Sequence, residues 1–247
     1  YAARLRECLD LREQLWPGRT ACRLVGGDAD GLPGLVVDRY GDVLAVQLNT
    51  VGMDQRRDAL EQALRDVLAP RGAVLQNDRR LREHEGLPLE RADWFGDVPD
   101  QVDVTELGVT FRVPLHGGPK QAHHFDQATN RHRAGALCRG RTVLDVYAGS
   151  GGWALQALAQ GAEHAVVVDK AEASCELAAA NAELNGVADR LTILCDEGKR
   201  SLEALRDKGH RFGCVVLDPP PFAKTRKAAT SALRGYRDVN GTAITLV

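Results

Sequence analysis

The chain has 247 residues, of which 44% are hydrophobic and 27% charged. That balance excludes global disorder, and the length suits one large or two ordinary domains. No apolar run reaches the roughly 18 to 20 residues that a bilayer span needs, and the charged opening YAARLRECLDLREQ reads as a helix rather than a secretion signal. These features predict a cytosolic protein. The formal net charge of −2 argues against a nucleic-acid partner until the chain is divided. Residues 1–115 hold 15 Lys+Arg against 20 Asp+Glu, and residues 116–247 hold 17 against 14. The second part is mildly basic, with Lys224, Arg226, Lys227, Arg234 and Arg237 gathered near its end.

The first half reads as a small α+β unit over residues 1–115. A helix is expected over 2–15, with Leu5, Cys8, Leu9, Leu11 and Leu15 as its apolar stripe. Three short β-rich runs follow, broken by Asp, Gly and Pro, with Tyr40-Gly41-Asp42 as a hairpin connection. A helix over 53–68 buries Leu60, Leu64, Val67 and Leu68 and stops before Pro70 and Gly72. A strand at 73–76 comes next, then a polar loop over 78–99. The segment VDVTELGVTFRVPL forms a hairpin that closes the unit.

From residue 116 the pattern changes to apolar β-branched runs alternating with helices, at 142–146, 164–169, 190–195 and 213–217. Such runs are buried parallel strands of βαβ units, which makes this part an α/β domain. Its helices are expected near 153–160, 172–184 and 201–208, with a last helix-like segment at the end. Asn185-Gly186 supplies the stop for the second of them.

The segment LDVYAGSGGWAL, residues 144–155, is the most informative. A strand delivers Asp145 to its C-terminal edge, Gly149, Gly151 and Gly152 allow a tight turn, and a helix begins just beyond. A second strand ends in Asp169, where a carboxylate can grip both hydroxyls of a ribose. Residues 149–154 also satisfy GxGxxA, a dinucleotide pattern. Asp145 favours S-adenosylmethionine, because it repels a pyrophosphate and attracts the ammonium and sulfonium of that cofactor. A third strand ends at Cys195-Asp196-Glu197. Asp196 either accepts from an adenine amine or caps the next helix.

The fourth strand runs into Asp218-Pro219-Pro220-Pro221-Phe222. Prolines end strand pairing and fix an extended loop. The Asp218 carboxylate and the Pro219 and Pro220 carbonyls suit an exocyclic amine, and the Phe222 ring suits the face of a planar base. Upstream, His123-His124 reads as a solvated turn rather than a ligand pair, since adjacent residues rarely face one ion. Phe125 and Gln127 are placed to fold over the cofactor as a lid. Arg131, Arg133, Arg139 and Arg141 face either phosphate or solvent. No metal site is expected. The six cysteines, Cys8, Cys22, Cys138, Cys175, Cys195 and Cys214, have no CxxC or Cys/His metal spacing and read as reduced core thiols.

Five segments in one order, DADGLPGLVVDRYGD (28–42), FDQATNR (125–131), DVYAGSGGW (145–153), DPPPF (218–222) and GYRDVN (235–240), resemble the bacterial class I rRNA methyltransferases of the RlmI type. The resemblance covers almost the whole chain. It implies a Rossmann-like class I methyltransferase sheet over 116–247, S-adenosylmethionine as cofactor, and 5-methylcytosine in large-subunit rRNA as product. By the same resemblance Phe125, Asp126, Gln127 and Arg131 help bind cofactor from outside the sheet. Asp145, Tyr147, Gly149 and Gly151 belong to the methionine-side loop, Asp169 to the ribose, Asp196 to the adenine, and Asp218-Pro219-Pro220 to the target-base loop. The family often has a Tyr-Thr-Gly-Gly-type loop where this chain has Tyr147-Ala148-Gly149-Ser150-Gly151-Gly152, and an apolar or basic residue where Pro221 stands.

Such proteins usually begin with a small RNA-binding PUA domain and continue through three more strands that carry a cysteine nucleophile. The chain is therefore expected to be truncated at both ends, with an incomplete sheet and without that cysteine. Cytosine C5 attacks a methyl donor only after a thiolate has added at C6. Cys195 and Cys214 lie in strands and read as core. The runner-up is amino-methylation of guanine N2 or adenine N6, where a DPPF-type loop holds the attacking amine without covalent catalysis. A non-catalytic RNA-binding module and a Rossmann dehydrogenase stay open, as does a homodimer.

Overall fold

The computed structural model describes residues 1–117, 123–223, 225 and 228–247. The expected basic positions Lys224, Arg226 and Lys227 lie outside the described residues. The chain divides into two compact units, Tyr1–Glu106 with Val113–Gly117, and Leu107–Arg112 with Gly118–Val247.

In the first unit helix α1 (Ala2–Leu15) is followed by strands β1 (Ala21–Gly26), β2 (Leu35–Tyr40) and β3 (Val43–Leu48). These three pair antiparallel, with Tyr40 opposite Val43 across the expected two-residue turn. Strand β4 (Gly72–Asn77) runs parallel to β3, which demands a crossover. That crossover is two helices, α2 (Val51–Asp54) and α3 (Arg57–Leu68), rather than the single helix expected over 53–68. Thr50 caps α2 by accepting from the Met53 N–H. Leu60, Ala63 and Leu64, spaced at three and four residues, put one face of α3 into the core with Leu5, Leu24, Leu35, Leu44 and Leu75. The stripe of α1 is narrower than predicted: Leu5 and Cys8 are buried, Leu9 is half-buried, and Leu11 and Leu15 are exposed.

The stretch 78–99 is not a loop. It holds α4 (Leu81–His84) and β5 (Glu90–Gly96), which pairs antiparallel with β4 at the sheet edge. An edge strand with one buried side chain, Phe95, has no clear alternation to read. Strands β6 (Gln101–Glu106) and β7 (Val109–Pro114) form a two-stranded ribbon turned by Leu107 and Gly108, both at positive φ.

In the second unit helix α5 (Ala128–Leu137) precedes four parallel strands: β8 (Thr142–Val146), β9 (His164–Asp169), β10 (Leu191–Cys195) and β11 (Cys214–Leu217). Their order is β10-β9-β8-β11. Helices α6 (Gly152–Ala159) and α7 (Glu172–Leu184) carry the chain outward to β10. Helix α8 (Gly198–Asp207) returns it past β8 to β11, and α9 (Ala229–Ile244) follows. Right-handed crossovers place α6 and α7 on one face and α8 and α9 on the other. The second face closes a core of Leu144, Val146, Val168, Leu202, Leu205, Val239 and Leu246. The direction of winding reverses between β8 and β11, so a crevice opens at their C-terminal ends.

The cysteine reading needs correction. Cys8, Cys22, Cys138 and Cys175 are buried, but Cys195 is exposed and Cys214 only half-buried. Both lie on edge strands of the four-stranded sheet, where one side of each strand has no paired neighbour among the described residues. Among the described residues, no helix is long and apolar enough to cross a membrane, and no cluster of three or more His, Cys, Asp or Glu side chains is placed to hold a metal.

Candidate cofactor and base site

The crevice is built around Asp145, the penultimate residue of β8 and fully buried. One carboxylate oxygen accepts from the Ala154 N–H at 3.1 Å, where α6 begins. The other, Oδ1, has no hydrogen-bond partner among the described residues. An uncompensated buried carboxylate resists ionisation. Burial therefore raises its pKa to about 7, the Asp218 charge adds to the rise, and the Ala154 N–H and the Arg131 guanidinium oppose it. Asp218 comes close because Val216 on β11 is the register partner of Asp145 on β8. It is exposed, as is Pro220, while Pro219 is half-buried.

The loop after β8 is held from several sides. The N–H groups of Tyr147 and Ala148 both donate to the Val168 carbonyl, at 2.8 and 3.1 Å. The Gly149 N–H donates to Asp169 Oδ2 at 2.9 Å, and Asp169 Oδ1 accepts from Ala171. Gly151 has φ 79°, and a side chain there would press on Ala178 of α7. Tyr147 itself sits at φ 66°, a conformation costly for a bulky residue. Its ring lies 2.8 Å from where a Cβ on Gly198 would stand. Gly198→Ala is thus expected to push the Tyr147 ring out of place, seen as a changed tyrosine fluorescence or ring NMR signal in a protein that still folds.

Arg131 is buried on α5, not facing phosphate or solvent. Its guanidinium donates to the His124 carbonyl at 2.9 Å and lies 6.0 Å from the Phe111 ring centre, and its stem packs against Gly152. Arg133, Arg139 and Arg141 are exposed. His123 is buried between the rings of Phe111 and Phe125, so only His124 of that pair is exposed. Phe125 is thereby engaged and half-buried, Asp126 is exposed, and Gln127 accepts from Asn130.

Asp196 does not cap α8. Glu197 takes that place, accepting from the N–H groups of Lys199 and Arg200. The Asp196 carboxylate pairs with Arg200 and accepts from the Glu197 N–H, and these partners hold its pKa below the usual range. Phe222 also differs from expectation. Its ring stacks on Tyr236 of α9, with centres 4.3 Å apart, and its N–H donates to the Tyr236 hydroxyl. One face of the ring is therefore covered, and Phe222 ties the proline loop to α9. Gly198 and the buried Asn181 of α7 are contacts of the site that the sequence did not flag, and Tyr236 stood in the segment GYRDVN without a role. Asn181 had left one trace, an amide among the apolar residues of α7.

A family model described as Conserved hypothetical protein 95 matches residues 123–247, just over half of the chain. The chain belongs to the Conserved hypothetical protein 95 family. This family member is also 33% identical over 248 residues to Ribosomal RNA large subunit methyltransferase I of Erwinia tasmaniensis, a match covering 100% of the chain and 62% of the relative. The chain thus spans less than two thirds of the curated relatives it matches. Among solved structures, one described as "a putative sam-dependent methyltransferase from Streptococcus mutans" matches with a TM-score of 0.83 at 22% identity, over 98% of this chain and 63% of that one. Another, described as "SMU.776, a putative methyltransferase complexed with SAH", matches with a TM-score of 0.84 at 22% identity, over 99% of this chain and 63% of that one. The Conserved hypothetical protein 95 member shares their Rossmann-like methyltransferase fold.

Proposed function

We propose that this chain is the cofactor-binding and base-presenting part of an S-adenosylmethionine-dependent methyltransferase that forms 5-methylcytosine in large-subunit rRNA. The observation that carries the reading is the buried Asp145 Oδ1 beside a glycine loop, which has no partner among the described residues. A cationic amine is the group that completes it, and no phosphate does. The names of the curated relatives support the rRNA substrate, and the SAH in the SMU.776 structure supports the cofactor. An rRNA substrate places the protein in the cytoplasm.

When bound, S-adenosylmethionine supplies a methyl group on a sulfonium. Asp145, Tyr147, Gly149 and Gly151 hold its methionine end in this reading. Asp169 takes the ribose with the acceptor sites that Gly149 and Ala171 leave open, and the segment ending in Asp196 takes the adenine. Arg131 balances the charge of Asp145 from behind the loop. Asp218 and the Pro219 and Pro220 carbonyls accept from the exocyclic amine of the target base, close to Asp145. Reaction at cytosine C5 also needs a thiolate at C6. None of the six cysteines belongs to the Asp218 loop, and the proposal gives this role to none of them.

Calorimetric titration with S-adenosylmethionine tests the first half, and absence of binding by the full-length protein would leave only an RNA-binding module. Bisulfite sequencing of rRNA from a deletion strain tests the second. One large-subunit cytosine is expected to lose its protection, whereas an unchanged cytosine pattern would reject the C5 assignment in favour of amino-methylation. Asp218→Asn is expected to lower methyl transfer to rRNA on the order of a hundredfold, because base positioning is lost. The same change removes a negative charge near Asp145, so cofactor binding is expected to persist.

A further inference from the structure

Asn181 lies in the last turn but one of α7 and is fully buried. Its amide joins two elements. Oδ1 accepts from the Arg112 N–H of β7 at 2.8 Å, and Nδ2 donates to the Ser150 carbonyl at 3.2 Å. Ser150 stands between Gly149 and Gly151, both at positive φ. Asn185, the C-terminal cap of α7, makes the strand half of this arrangement and also donates to the Asn181 carbonyl at 2.7 Å, but does not reach the loop. Its Oδ1 accepts from the Thr110 N–H at 2.9 Å and its Nδ2 donates to the Thr110 carbonyl at 2.7 Å.

The two amides therefore dock the same strand, yet Asn181 alone of the two donates to the glycine loop. The neighbouring buried positions of α7 are Leu177, Ala178 and Ala182, and an apolar residue at 181 would avoid the desolvation of an amide. We propose that Asn181 is a positioning residue that fixes the glycine loop in its cofactor-accepting shape by tying the Ser150 carbonyl to α7 and β7. The loop is then clamped from two sides, by Asp169 at the Gly149 N–H and by Asn181 at the Ser150 carbonyl. A clamped loop binds without first losing conformational freedom, and that gain appears as affinity. This inference rests on the reading of the loop as an S-adenosylmethionine site.

Asn181→Asp in the full-length protein separates the two contacts. Measured at about pH 9, where the buried carboxyl is ionised, the variant side chain still accepts from Arg112 but has no donor for Ser150 and opposes its carbonyl. The dissociation constant for S-adenosylmethionine is expected to rise about tenfold, the equivalent of one lost hydrogen bond of ordinary strength. Amide hydrogen exchange over residues 149–151 is expected to quicken. Asn185→Ala is the control, expected to lower the melting temperature while the dissociation constant stays within about twofold of the wild type. Wild-type affinity in folded Asn181→Asp overturns the inference, and so does an equal loss of affinity in Asn185→Ala. If Asn181→Asp fails to fold, Asn181→Ser gives the same comparison, because its short hydroxyl cannot span both partners. Wild-type protein that binds no S-adenosylmethionine defeats the cofactor reading instead, and the exchange measurement still reports whether Asn181 holds the loop.

Discussion

Asp145→Asn is expected to stabilise the free protein at pH 8 while strongly weakening S-adenosylmethionine binding. The folded carboxylate has its pKa raised from 3.8 to about 7. Because the folded value lies above the unfolded one, the native state binds the extra proton. Stability therefore falls as pH rises from about 4 to about 7 and is level above that. At about 1.4 kcal/mol per unit, the ionised group costs roughly 4 kcal/mol. Asparagine keeps an acceptor for the Ala154 N–H and removes the charge, but it buries an N–H at the orphan position. A net gain of about 1 to 3 kcal/mol is expected, read from urea denaturation at pH 8. The same change removes the partner of the ammonium, so the dissociation constant is expected to rise more than about a hundredfold.

The titration has a signature in the wild-type protein as well. With its pKa raised to about 7, Asp145 is expected to be mostly protonated at pH 6 in the free state, and cofactor binding there is expected to release a proton. Affinity is expected to climb with pH through about 7 and then flatten. Calorimetry at pH 6 in buffers of different ionisation enthalpy measures that proton directly, and buffer-independent heats would mean that Asp145 does not face the cation.

The second large effect is expected far from the crevice, at Arg82. Its side chain is fully buried in the first unit. It donates to the Leu48 carbonyl, to the Pro88 carbonyl at 3.0 Å, and to Asp54 at 2.9 Å. Asp54 also pairs with Arg57, which reaches on to Glu90 at the start of β5. Arg82→Met fills most of the space yet strands two carbonyls without donors. A loss of about 3 to 5 kcal/mol is expected from denaturant unfolding, since the Leu48 and Pro88 carbonyls lose a charged donor and Asp54 is left with Arg57 alone. Arg82→Lys is expected to recover only part of it, because an ammonium lacks the planar fork that spans three acceptors. A loss below about 1 kcal/mol in Arg82→Met would show that these carbonyls find water instead.

Arg82 also marks where the sequence was opaque. The stretch 78–99 is polar, and polar residues signal a loop unless a partner elsewhere satisfies them. Here Asp54, Leu48 and Pro88 do so, and Leu48 and Asp54 lie about 30 positions back in the chain. The break between α2 and α3 was hidden for a related reason, since the apolar spacing of Leu60, Leu64 and Val67 says nothing about where the first turn starts. Exposed Cys195 followed from a strand order that no local pattern encodes.

What the sequence determined by itself was whatever depends on neighbours along the chain. The period-two and continuous apolar runs set the strands, the 3.6-residue stripes set most helices, and Asp145, the glycines and Asp169 followed from strand-then-turn-then-helix spacing. The tertiary structure alone decided which polar groups meet. Return of the chain past β8 brings Asp218 toward Asp145, burial leaves one oxygen of Asp145 without a partner, and α7 delivers Asn181 to the loop. It also turned Phe222 onto Tyr236 and gave Asp196 to Arg200. The physical reason is that apolar periodicity is a local property of the chain. Hydrogen bonds and charge pairs between distant residues depend on where the folded elements place each donor and acceptor.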